Sequence, residues 1–505
     1  MPPSAASLVS RRLTFMTAPG YQDSLRFLYE RINYERISTT PARYPFRLRR
    51  MAELAERIGL GDHVHVNSPN PPIPLVHIAG TKGKGSTAAM VAGILSKAGY
   101  RTGLYTSPHL NDLEERFRID HVPCSANEIV SLVDRIRSVV EEMDREAGSG
   151  PTFFELTTAM AMLHFQSQAC DAIILEVGLG GRLDSTNVFS SSVTAITSIG
   201  LDHQHVLGNT IAEIAAEKAG IIKPNVSVVS SVARPEAIEV IRKTAADRNA
   251  PLYQLGETVN PDGEPASVTT SSTGDFVISI EPNCDWGSKL CYQGRTAPLC
   301  NSHEMTLAME GDHQARNAAV AIAVADLLAG SGLSIPETAF ASGLASLNCT
   351  ARIERFHLSD DVIAIVDAAH NEDSVAALIK TINDRLPDRQ ITIVFGTSRD
   401  KSAEPMLAAL APMATHLVLT KYSGNPRYRE PAEMLAMVPN ADRPETNRPD
   451  GVPHLRTHVI ADAIDACQRG RELASPGGAL VICGSFFLAA EARQWILGLQ
   501  RLGTD

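Results

Sequence analysis

The stretch Pro74-Leu-Val-His-Ile-Ala-Gly-Thr-Lys-Gly-Lys-Gly-Ser-Thr-Ala-Ala-Met-Val91 joins a short apolar run to a glycine-rich turn and then to a helical pattern. Glycines let the backbone turn tightly and approach phosphate oxygens, so that backbone N–H groups and the positive end of the following helix face the anion. Lys84 brings a positive charge within reach of the β and γ phosphates. We therefore interpret the turn as a phosphate-binding loop made of Gly80, Thr81, Lys82, Gly83, Lys84, Gly85, Ser86 and Thr87.

The spacing of this loop is unusual, but its flanks are the expected ones. The common pattern of a glycine, four residues and then Gly-Lys-Ser/Thr is not met literally, because Ile78 stands at its first glycine and Gly85 separates Lys84 from Ser86. A buried strand is predicted before the turn, and a helix over residues 87–98 is predicted after it. A strand, a glycine-rich turn and a helix in this order are typical of a nucleotide-binding α/β domain.

The bulk composition limits the classes of function. A chain of 505 residues with 44% hydrophobic residues is expected to form two or three domains. The net charge of −11, without a long basic run, argues against a nucleic-acid binder. The eight cysteines are scattered without Cys-x-x-Cys pairs, which predicts a reduced, cytoplasmic protein. No apolar run approaches the roughly 20 residues of a membrane-spanning helix, so we expect no membrane partner.

The alternation of apolar strand-like runs with amphipathic helices predicts the domain organisation. Residues 21–348 are expected to form a doubly wound parallel sheet that carries the phosphate-binding loop, with a β-rich excursion at about 256–300. Residues 349–505 repeat the α/β pattern and predict a second, smaller Rossmann-like domain. Residues 1–20 are predicted to be a flexible extension.

Polar residues directly follow several predicted strands of the first domain. Ser107, Glu176 and His203 each stand just past a strand, where the carboxyl ends of parallel strands meet and ligands bind. Hydroxyl and carboxylate oxygens are ordinary Mg²⁺ ligands, and imidazole is a less usual one, so the three residues are a candidate magnesium site. By spacing alone two alternatives stay open: Glu176 as a surface or capping residue and His203 as a structural histidine.

A set of further motifs occurs along the chain in a fixed order. The motifs are Gly80-Thr-Lys-Gly-Lys-Gly-Ser86, Thr106-Ser-Pro-His109, Phe153-Phe-Glu-Leu-Thr157, Leu175-Glu-Val-Gly-Leu-Gly-Gly-Arg-Leu-Asp-Ser-Thr-Asn187, Leu201-Asp-His203, Glu217-Lys-Ala-Gly-Ile221, His313-Gln314 with Asn317, Asp367-Ala-Ala-His-Asn371 and Gly484-Ser485. From about Tyr21 to its C-terminus, the chain closely resembles the folylpolyglutamate synthase and dihydrofolate synthase family of the Mur ligase superfamily.

The resemblance implies an ATP site with bound magnesium. In the family the phosphate-binding loop binds ATP, and the positions that match Ser107, Glu176 and His203 hold Mg²⁺. Lys218 matches a lysine that becomes carbamylated and then serves as a ligand for a second metal ion. Two Mg²⁺ ions are therefore expected, and a monovalent cation is a further candidate. Without the motif, Lys218 would be interpreted as a solvated lysine of a helix.

The resemblance also assigns substrate contacts. Asn317, Arg352 and Asp367 match residues that contact ATP, and His370 matches a residue near the glutamate and the phosphate. Lys84, Lys218 and His370 are thus the candidate catalytic residues. The region that lines the pterin or folate pocket in the family matches Phe153, Phe154, Glu155 and Thr157. As bare sequence, the paired phenylalanines would more often be core residues.

The implied activity is an ATP-dependent acid–amino-acid ligation by a monomeric enzyme. L-Glutamate would be added to a folate, as in folylpolyglutamate synthase, or to dihydropteroate, as in dihydrofolate synthase, through an acyl phosphate. Alternatives are another Mur-type amino-acid ligase, a kinase, or a nucleotide-binding regulatory protein on the same fold. The chain departs from the family at Thr350-Ala351-Arg352, where Pro-Gly-Arg is frequent, and at Ser402, where a second acid often follows the Asp-Lys pair.

Overall fold

The computed structural model describes residues 19–33, 48–65, 70–147, 150–256, 274–282, 286–347, 350–439, 455–474 and 476–502. The described chain divides into two compact units. The first consists of residues up to 283, 287–308 and 313–347, and the second of 284–286, 309–312 and 348–505. The extension predicted over residues 1–20 lies outside the described residues except for its last two.

An eight-stranded sheet forms the centre of the first unit. Its strands are β1 Leu75–Ala79, β2 Thr102–Tyr105, β3 Phe117–Ile119, β4 Val122–Pro123, β5 Ala172–Glu176, β6 Val193–Ile196, β7 Ser227–Ser230 and β8 Leu252–Gln254. They lie in the order β4-β3-β2-β5-β1-β6-β7-β8. The six strands from β2 to β8 in this order are parallel, whereas β3 and β4 are antiparallel and end the sheet on one side. The predicted doubly wound α/β sheet is confirmed, with this antiparallel edge added.

Helices connect and cover the strands of this sheet. They are α1 Tyr21–Tyr29, α2 Leu48–Arg57, α3 Lys84–Lys97, α4 Ala126–Ala147, α5 Phe153–Ser167, α6 Gln204–Leu207, α7 Ile211–Ala219, α8 Pro235–Asp247, α9 Asp312–Gly330 and α10 Glu337–Ala345. Helix α3 begins three residues earlier than predicted, at Lys84. Its residues from Ser86 to Leu95 are all buried, because the helix contacts β1, β2 and β5 of the sheet and also helix α10.

The predicted β-rich excursion contains a small antiparallel sheet. Its strands are β9 Phe276–Pro282, β10 Ser288–Gly294 and β11 Ser302–Leu307, in the order β11-β10-β9. Strand β11 alternates exposed and buried residues, as expected for a sheet with one solvated face. Residues 257–273 of the excursion lie outside the described part of the chain.

A six-stranded sheet forms the centre of the second unit. Its strands are β12 Glu354–His357, β13 Ile363–Val366, β14 Ile391–Phe395, β15 His416–Leu419, β16 Arg456–Val459 and β17 Ala479–Cys483. They lie in the order β12-β13-β17-β14-β15-β16, and all are parallel except β12. The accompanying helices are α11 Glu372–Arg385, α12 Ala403–Leu410, α13 Pro431–Leu435, α14 Ala463–Ala474 and α15 Phe486–Leu502. No helix among the described residues is long and apolar enough to cross a membrane.

Candidate active site

The phosphate-binding loop follows β1, the fifth strand in the order of the sheet. At two of its positions, neighbouring atoms leave room only for glycine. A Cβ atom on Gly80 would stand 2.0 Å from Oγ1 of Thr197. Gly83 has a φ of +83°, and a Cβ atom there would stand 2.2 Å from Oδ1 of Asn317. Both positions therefore exclude a side chain on steric grounds, and Gly83 also has a backbone conformation that favours glycine. Asn317, predicted to contact ATP, lies directly against the loop.

The segment after β6 anchors this loop. The Thr81 N–H donates to the Ser198 carbonyl at 2.7 Å, and the Lys82 N–H donates to Oγ of Ser198 at 2.9 Å. The Thr81 hydroxyl accepts a hydrogen bond from the Gly200 N–H at 3.0 Å. Sequence reasoning did not identify Ser198 or Thr197. The signal available in the sequence was that both residues directly follow β6, the strand that lies next to β1 in the sheet.

Two lysines converge on one carbonyl of the loop. Nζ of Lys84 donates to the Gly80 oxygen at 3.2 Å, and Nζ of Lys218 donates to the same oxygen at 3.0 Å. Lys218 is only 4% exposed. Burial, with the Lys84 charge as the next cause, lowers its pKa to about 7. The positive charge of Lys84 at this turn suits a polyphosphate, whereas a pKa of about 7 leaves Lys218 partly neutral at physiological pH.

The predicted magnesium ligands are only partly brought together. Glu176 ends β5 and is buried, and its Oε2 accepts a hydrogen bond from the Ser107 N–H at 3.1 Å. A Cβ atom on Gly85 would lie 3.3 Å from the same oxygen. Glu176, Ser107 and the loop thus share one edge of the sheet. A buried carboxylate with hydroxyl and loop backbone beside it is a donor set that fits a hard cation.

His203 occupies a more exposed position. Its φ is +50°, its side chain is 43% exposed, and its Nε2 lies 3.9 Å from Oδ1 of Asp202. Asp202 in turn pairs with Nζ of Lys82 at 3.5 Å, which links this segment to the phosphate-binding loop. Within the described ranges, no three His, Cys, Asp or Glu side chains are grouped to hold a metal ion. Of the three predicted ligands, Ser107 and Glu176 are in contact, whereas His203 lies beside Asp202 and His205.

The two hydroxyl residues that open α3 are buried. Ser86 is 5% exposed and Thr87 is fully buried. Among the described residues, the Thr87 hydroxyl has no hydrogen-bond partner. A buried hydroxyl without a partner is costly, and its position in the first turn of α3 keeps Thr87 a candidate for phosphate or metal contact.

The residues expected to line the folate pocket lie at the N-terminus of α5, and three of them are core residues. Phe153 is fully buried and stacks on Tyr29 with ring centroids 5.3 Å apart. Glu155 forms a capping box with Thr152 and an ion pair with Arg50 at 2.7 Å. Only Phe154 is partly exposed.

Thr157 and Phe154 complete this group. Thr157 is fully buried, and its hydroxyl lies 2.9 Å from the hydroxyl of Tyr105. The ring of Phe154 lies against Gly178, where an added Cβ would stand 2.4 Å from the ring. The region is therefore a packed wall with Phe154 as its accessible aromatic ring.

The predicted residues of the second unit form their own cluster. Asp367 is buried after β13 and accepts hydrogen bonds from the N–H groups of Ile353 and Ala369, both at 2.7 Å. Burial raises the pKa of this carboxyl, although the Arg352 charge and the two N–H groups oppose the shift. The Arg352 guanidinium lies 4.8 Å from the centre of the Phe486 ring, and the ring of His370 lies 5.6 Å from it. Arg352, His370 and Asp367 are therefore assembled within one unit.

The loop that presents Arg352 has an unusual backbone. Ala351 and Ile353 have φ values of +54° and +50°. Such values are uncommon for residues other than glycine, and they occur most often where function requires a particular geometry. Ala351, which stands where the family frequently has glycine, thus adopts the left-handed conformation in this chain.

Comparison with known proteins identifies the class. The Mur ligase middle domain family matches residues 78–325, and the glutamate ligase domain family of Mur ligases matches residues 351–486. These matches cover the two sheets and their polar carboxyl edges. Fold and site together define a Mur ligase.

Individual relatives narrow the class. The dihydrofolate synthase/folylpolyglutamate synthase of Bacillus subtilis is 35% identical over 403 residues, covering 78% of this chain and 83% of the relative. The folylpolyglutamate synthase of Lacticaseibacillus casei is 30% identical over 425 residues, covering 84% and 90%. The chain belongs to the folylpolyglutamate synthase and dihydrofolate synthase family.

Solved structures agree with this assignment. The Mycobacterium tuberculosis folylpolyglutamate synthase complexed with ADP and AMPPCP superposes with a TM-score of 0.77 at 29% identity and covers 94% of this chain and 98% of its own. A complex of folylpolyglutamate synthase (FPGS) with AMPPCP and folate superposes with a TM-score of 0.72 at 26% identity. The match covers 95% of this chain and 100% of the chain in that complex.

Proposed function

We propose that this protein is an ATP-dependent ligase that joins L-glutamate to a folate or to dihydropteroate. The observation that carries the proposal is the pair of lysines, Lys84 and Lys218, whose side-chain nitrogens both lie on the Gly80 carbonyl of the phosphate-binding loop. The positive charge of Lys84 at the start of a helix suits the phosphates of ATP. Relatives whose names state folate ligation, and solved relatives bound to AMPPCP and folate, support the same substrates.

The reaction requires activation of a carboxylate, which is a poor electrophile because its negative charge is delocalised and it lacks a leaving group. A carboxylate oxygen of the folate or pteroate attacks the γ phosphorus of ATP, and ADP leaves. The amine of L-glutamate then attacks the carbonyl carbon of the acyl phosphate, loses a proton, and expels inorganic phosphate to leave an amide. Lys84 offsets the negative charge of the transferred group. His370 positions the incoming glutamate.

Magnesium fits the buried carboxylate of Glu176 and the neighbouring Ser107, and His203 is the predicted third ligand. Glu176, Ser107 and His203 would hold the ion, which supplies charge neutralisation to the phosphates when bound. The pKa of about 7 at Lys218 leaves a large fraction of its amine neutral at physiological pH. Only a neutral amine reacts with carbon dioxide, so this lysine is suited to become a carbamate and serve as a ligand to a second ion.

The remaining contacts follow from the same proposal. We assign Asn317, Arg352 and Asp367 to the nucleotide. We assign Phe154 to the pterin ring, because it is the partly exposed aromatic residue at the start of α5. We expect a monomer in the cytoplasm. The cysteines within the described residues are all free, which fits a reducing compartment.

The decisive experiment measures ADP release with ATP, Mg²⁺ and L-glutamate, with dihydropteroate in one reaction and tetrahydrofolate in another. Mass spectrometry of the products then identifies the amide formed. Turnover of dihydropteroate alone defines a dihydrofolate synthase, turnover of tetrahydrofolate alone a folylpolyglutamate synthase, and turnover of both a bifunctional enzyme. Omission of glutamate separates a ligase from a kinase, because a kinase would release ADP with the acceptor alone. No turnover with either acceptor would contradict the proposal.

A further inference from the structure

Backbone contacts join the end of α7 to the glycine-rich segment 178–187 that follows β5. The Arg182 N–H donates to the Glu217 carbonyl at 2.7 Å. A Cβ atom on Gly181 would stand 2.9 Å from the Glu217 oxygen and 3.1 Å from the Lys218 oxygen. A Cβ atom on Gly220 would stand 2.6 Å from Cα of Arg182. The two backbones therefore touch directly before and after Lys218.

Asn187, at the end of this segment, links the two backbones through its side chain. It is 8% exposed. Its Nδ2 donates to the Arg182 carbonyl at 3.0 Å and to the Gly220 carbonyl at 3.2 Å. Gly220 directly follows α7 and lies two positions after Lys218. One buried amide group thus uses both of its N–H donors to hold the end of α7 against the segment.

Lys223 fixes the orientation of this amide. Its Nζ donates to the Asn187 carbonyl at 2.6 Å and to Oδ1 of Asn187 at 2.7 Å. Because the lysine donates to Oδ1, Nδ2 is the end of the amide that faces the two carbonyls. Burial, with the Arg248 charge as the next cause, lowers the pKa of Lys223 to about 7. A neutral amine still has two N–H groups, so both contacts persist on either side of that pKa.

The position of α7 determines where the amine of Lys218 lies. The helix has nine residues, and Lys218 is in its last turn. From there its Nζ reaches the Gly80 carbonyl at 3.0 Å. An α-helix rises about 1.5 Å per residue, so a shift of α7 by a single residue breaks this contact. A misplacement of about 1 Å in an active site lowers turnover by roughly a hundredfold.

We propose that Asn187 is a positioning residue of the ligation, an inference that rests on the proposed function. Asn187 holds the end of α7, so that Nζ of Lys218 stays at the phosphate-binding loop. It acts through the backbone of α7 and does not itself contact a substrate. The role requires two N–H donors and one acceptor on a small, planar side chain. Asparagine is the smallest residue that provides them.

The test variant is Asn187→Asp, because a carboxylate of nearly the same size keeps an acceptor for Lys223 but loses both donors. The kcat of ADP release and the KM for ATP are measured with the acceptor that wild type uses. The kcat is expected to fall at least about tenfold. The KM for ATP should stay within about threefold, because the phosphate-binding loop is unchanged. A purely structural role would lower the folded fraction without changing kcat per folded molecule.

Hydrogen exchange, followed by mass spectrometry, shows whether the effect passes through α7. In Asn187→Asp the backbone amides of residues 217–222 should exchange faster than in wild type by about tenfold or more, whereas those of α3 should not. A lower kcat with unchanged exchange at 217–222 would overturn the proposal, as would a raised KM for ATP at unchanged kcat. If Asn187→Asp does not fold, Lys223→Met replaces it. That variant releases the amide from its orienting partner, and the same two results are expected.

Asn249→Asp is the matched control, because Asn249 lies exposed in the same unit and its Nδ2 donates to Oδ1 of Asn225 at 2.8 Å. It makes the same chemical change and is expected to leave kcat and the exchange at 217–222 unchanged. Equal losses in the two variants would reduce the result to the added negative charge and overturn the proposal. A kcat of Asn187→Asp within about twofold of an active wild type would reject this inference alone. Wild type without glutamate-dependent ADP release would instead reject the proposed function, and this inference with it.

Discussion

Lys218 shows how burial changes the chemistry of a single residue. Its pKa is lowered from 10.5 to about 7, first by burial and then by the Lys84 charge. Below pH 7 the amine is protonated in both the folded and the unfolded protein, and the folded state bears the full cost of a buried charge. Between pH 7 and 10.5 only the unfolded state holds the proton, so the contribution of Lys218 to stability improves as pH rises.

The direction of this pH dependence predicts how the stability of Lys218→Met differs from that of wild type. In buffer free of carbon dioxide, the variant should exceed wild type in unfolding free energy by a few kcal/mol at pH 6, since it removes the buried charge. The difference should shrink markedly by pH 9. Urea denaturation at the two pH values measures it. An advantage that is equal at both values would contradict the lowered pKa. We expect ADP release to be lost at either pH.

Gly83 is constrained both by its backbone angle and by a neighbour. Gly83→Ala should cost about 1 kcal/mol for the left-handed backbone, and it should also displace Asn317, whose Oδ1 would be 2.2 Å from the new Cβ. We therefore expect at least a tenfold loss of ADP release. Gly99→Ala is the control, because Gly99 has a φ of +96° with nothing within 4 Å of an added Cβ. Equal activity of the two variants would show that the contact with Asn317 is not needed for turnover.

At the scale of elements, the first turn of α5 contains both a residue with a structural role and a candidate ligand contact. Glu155 caps the helix and pairs with Arg50, whereas Phe154 is partly exposed. Glu155→Ala should lower the unfolding free energy by about 3 kcal/mol, through the lost cap and the broken ion pair. It should change the KM for folate little in the protein that remains folded.

Phe154→Ala should show the opposite pattern, with a KM for folate raised about tenfold and a smaller change in stability. The two variants are compared by urea denaturation and by steady-state kinetics on the folded fraction. A control for capping alone is Glu213→Ala, because Glu213 forms an analogous capping box at the start of α7 without an ion pair to Arg50. If Glu155→Ala raised the KM for folate and left stability intact, Glu155 would be a ligand contact instead.

At the scale of the whole molecule, each unit has its own sheet and its own buried core. Because there are two cores, we expect more than one unfolding transition. AMPPCP with Mg²⁺ at about one hundred times its dissociation constant should stabilise the folded protein by about 2.7 kcal/mol. Differential scanning calorimetry should show the corresponding rise in the unfolding temperature of wild type. Lys84→Ala should show no such rise.

The transitions can be assigned with conservative core variants. Ile174 of the first sheet and Ile393 of the second are both fully buried, so Ile→Val at each should lower mainly the transition of its own unit. The nucleotide should raise the transition that Ile174→Val lowers, because the phosphate-binding loop lies in the first unit. A nucleotide shift confined to the other transition would contradict our placement of the ATP site.

The sequence alone determined the α/β class, most of the parallel strands and the location of the phosphate-binding loop. Each of these depends on residues that are close in the chain: apolar runs, helical periodicity and a glycine-rich turn. The order of the motifs along the chain also identified the family. Of the three residues predicted to converge at one edge of the sheet, Ser107 and Glu176 are in contact, whereas His203 lies beside Asp202 and His205.

The tertiary structure decided what the individual side chains do. Glu155 pairs with Arg50 across 105 residues, and Lys218 reaches the Gly80 carbonyl across 138. The burial of Phe153, the lowered pKa of Lys218 and the contact of Gly83 with Asn317 depend on such distant partners. Burial and electrostatics are set by what packing places around a group, and local sequence periodicity carries no information about neighbours a hundred residues away.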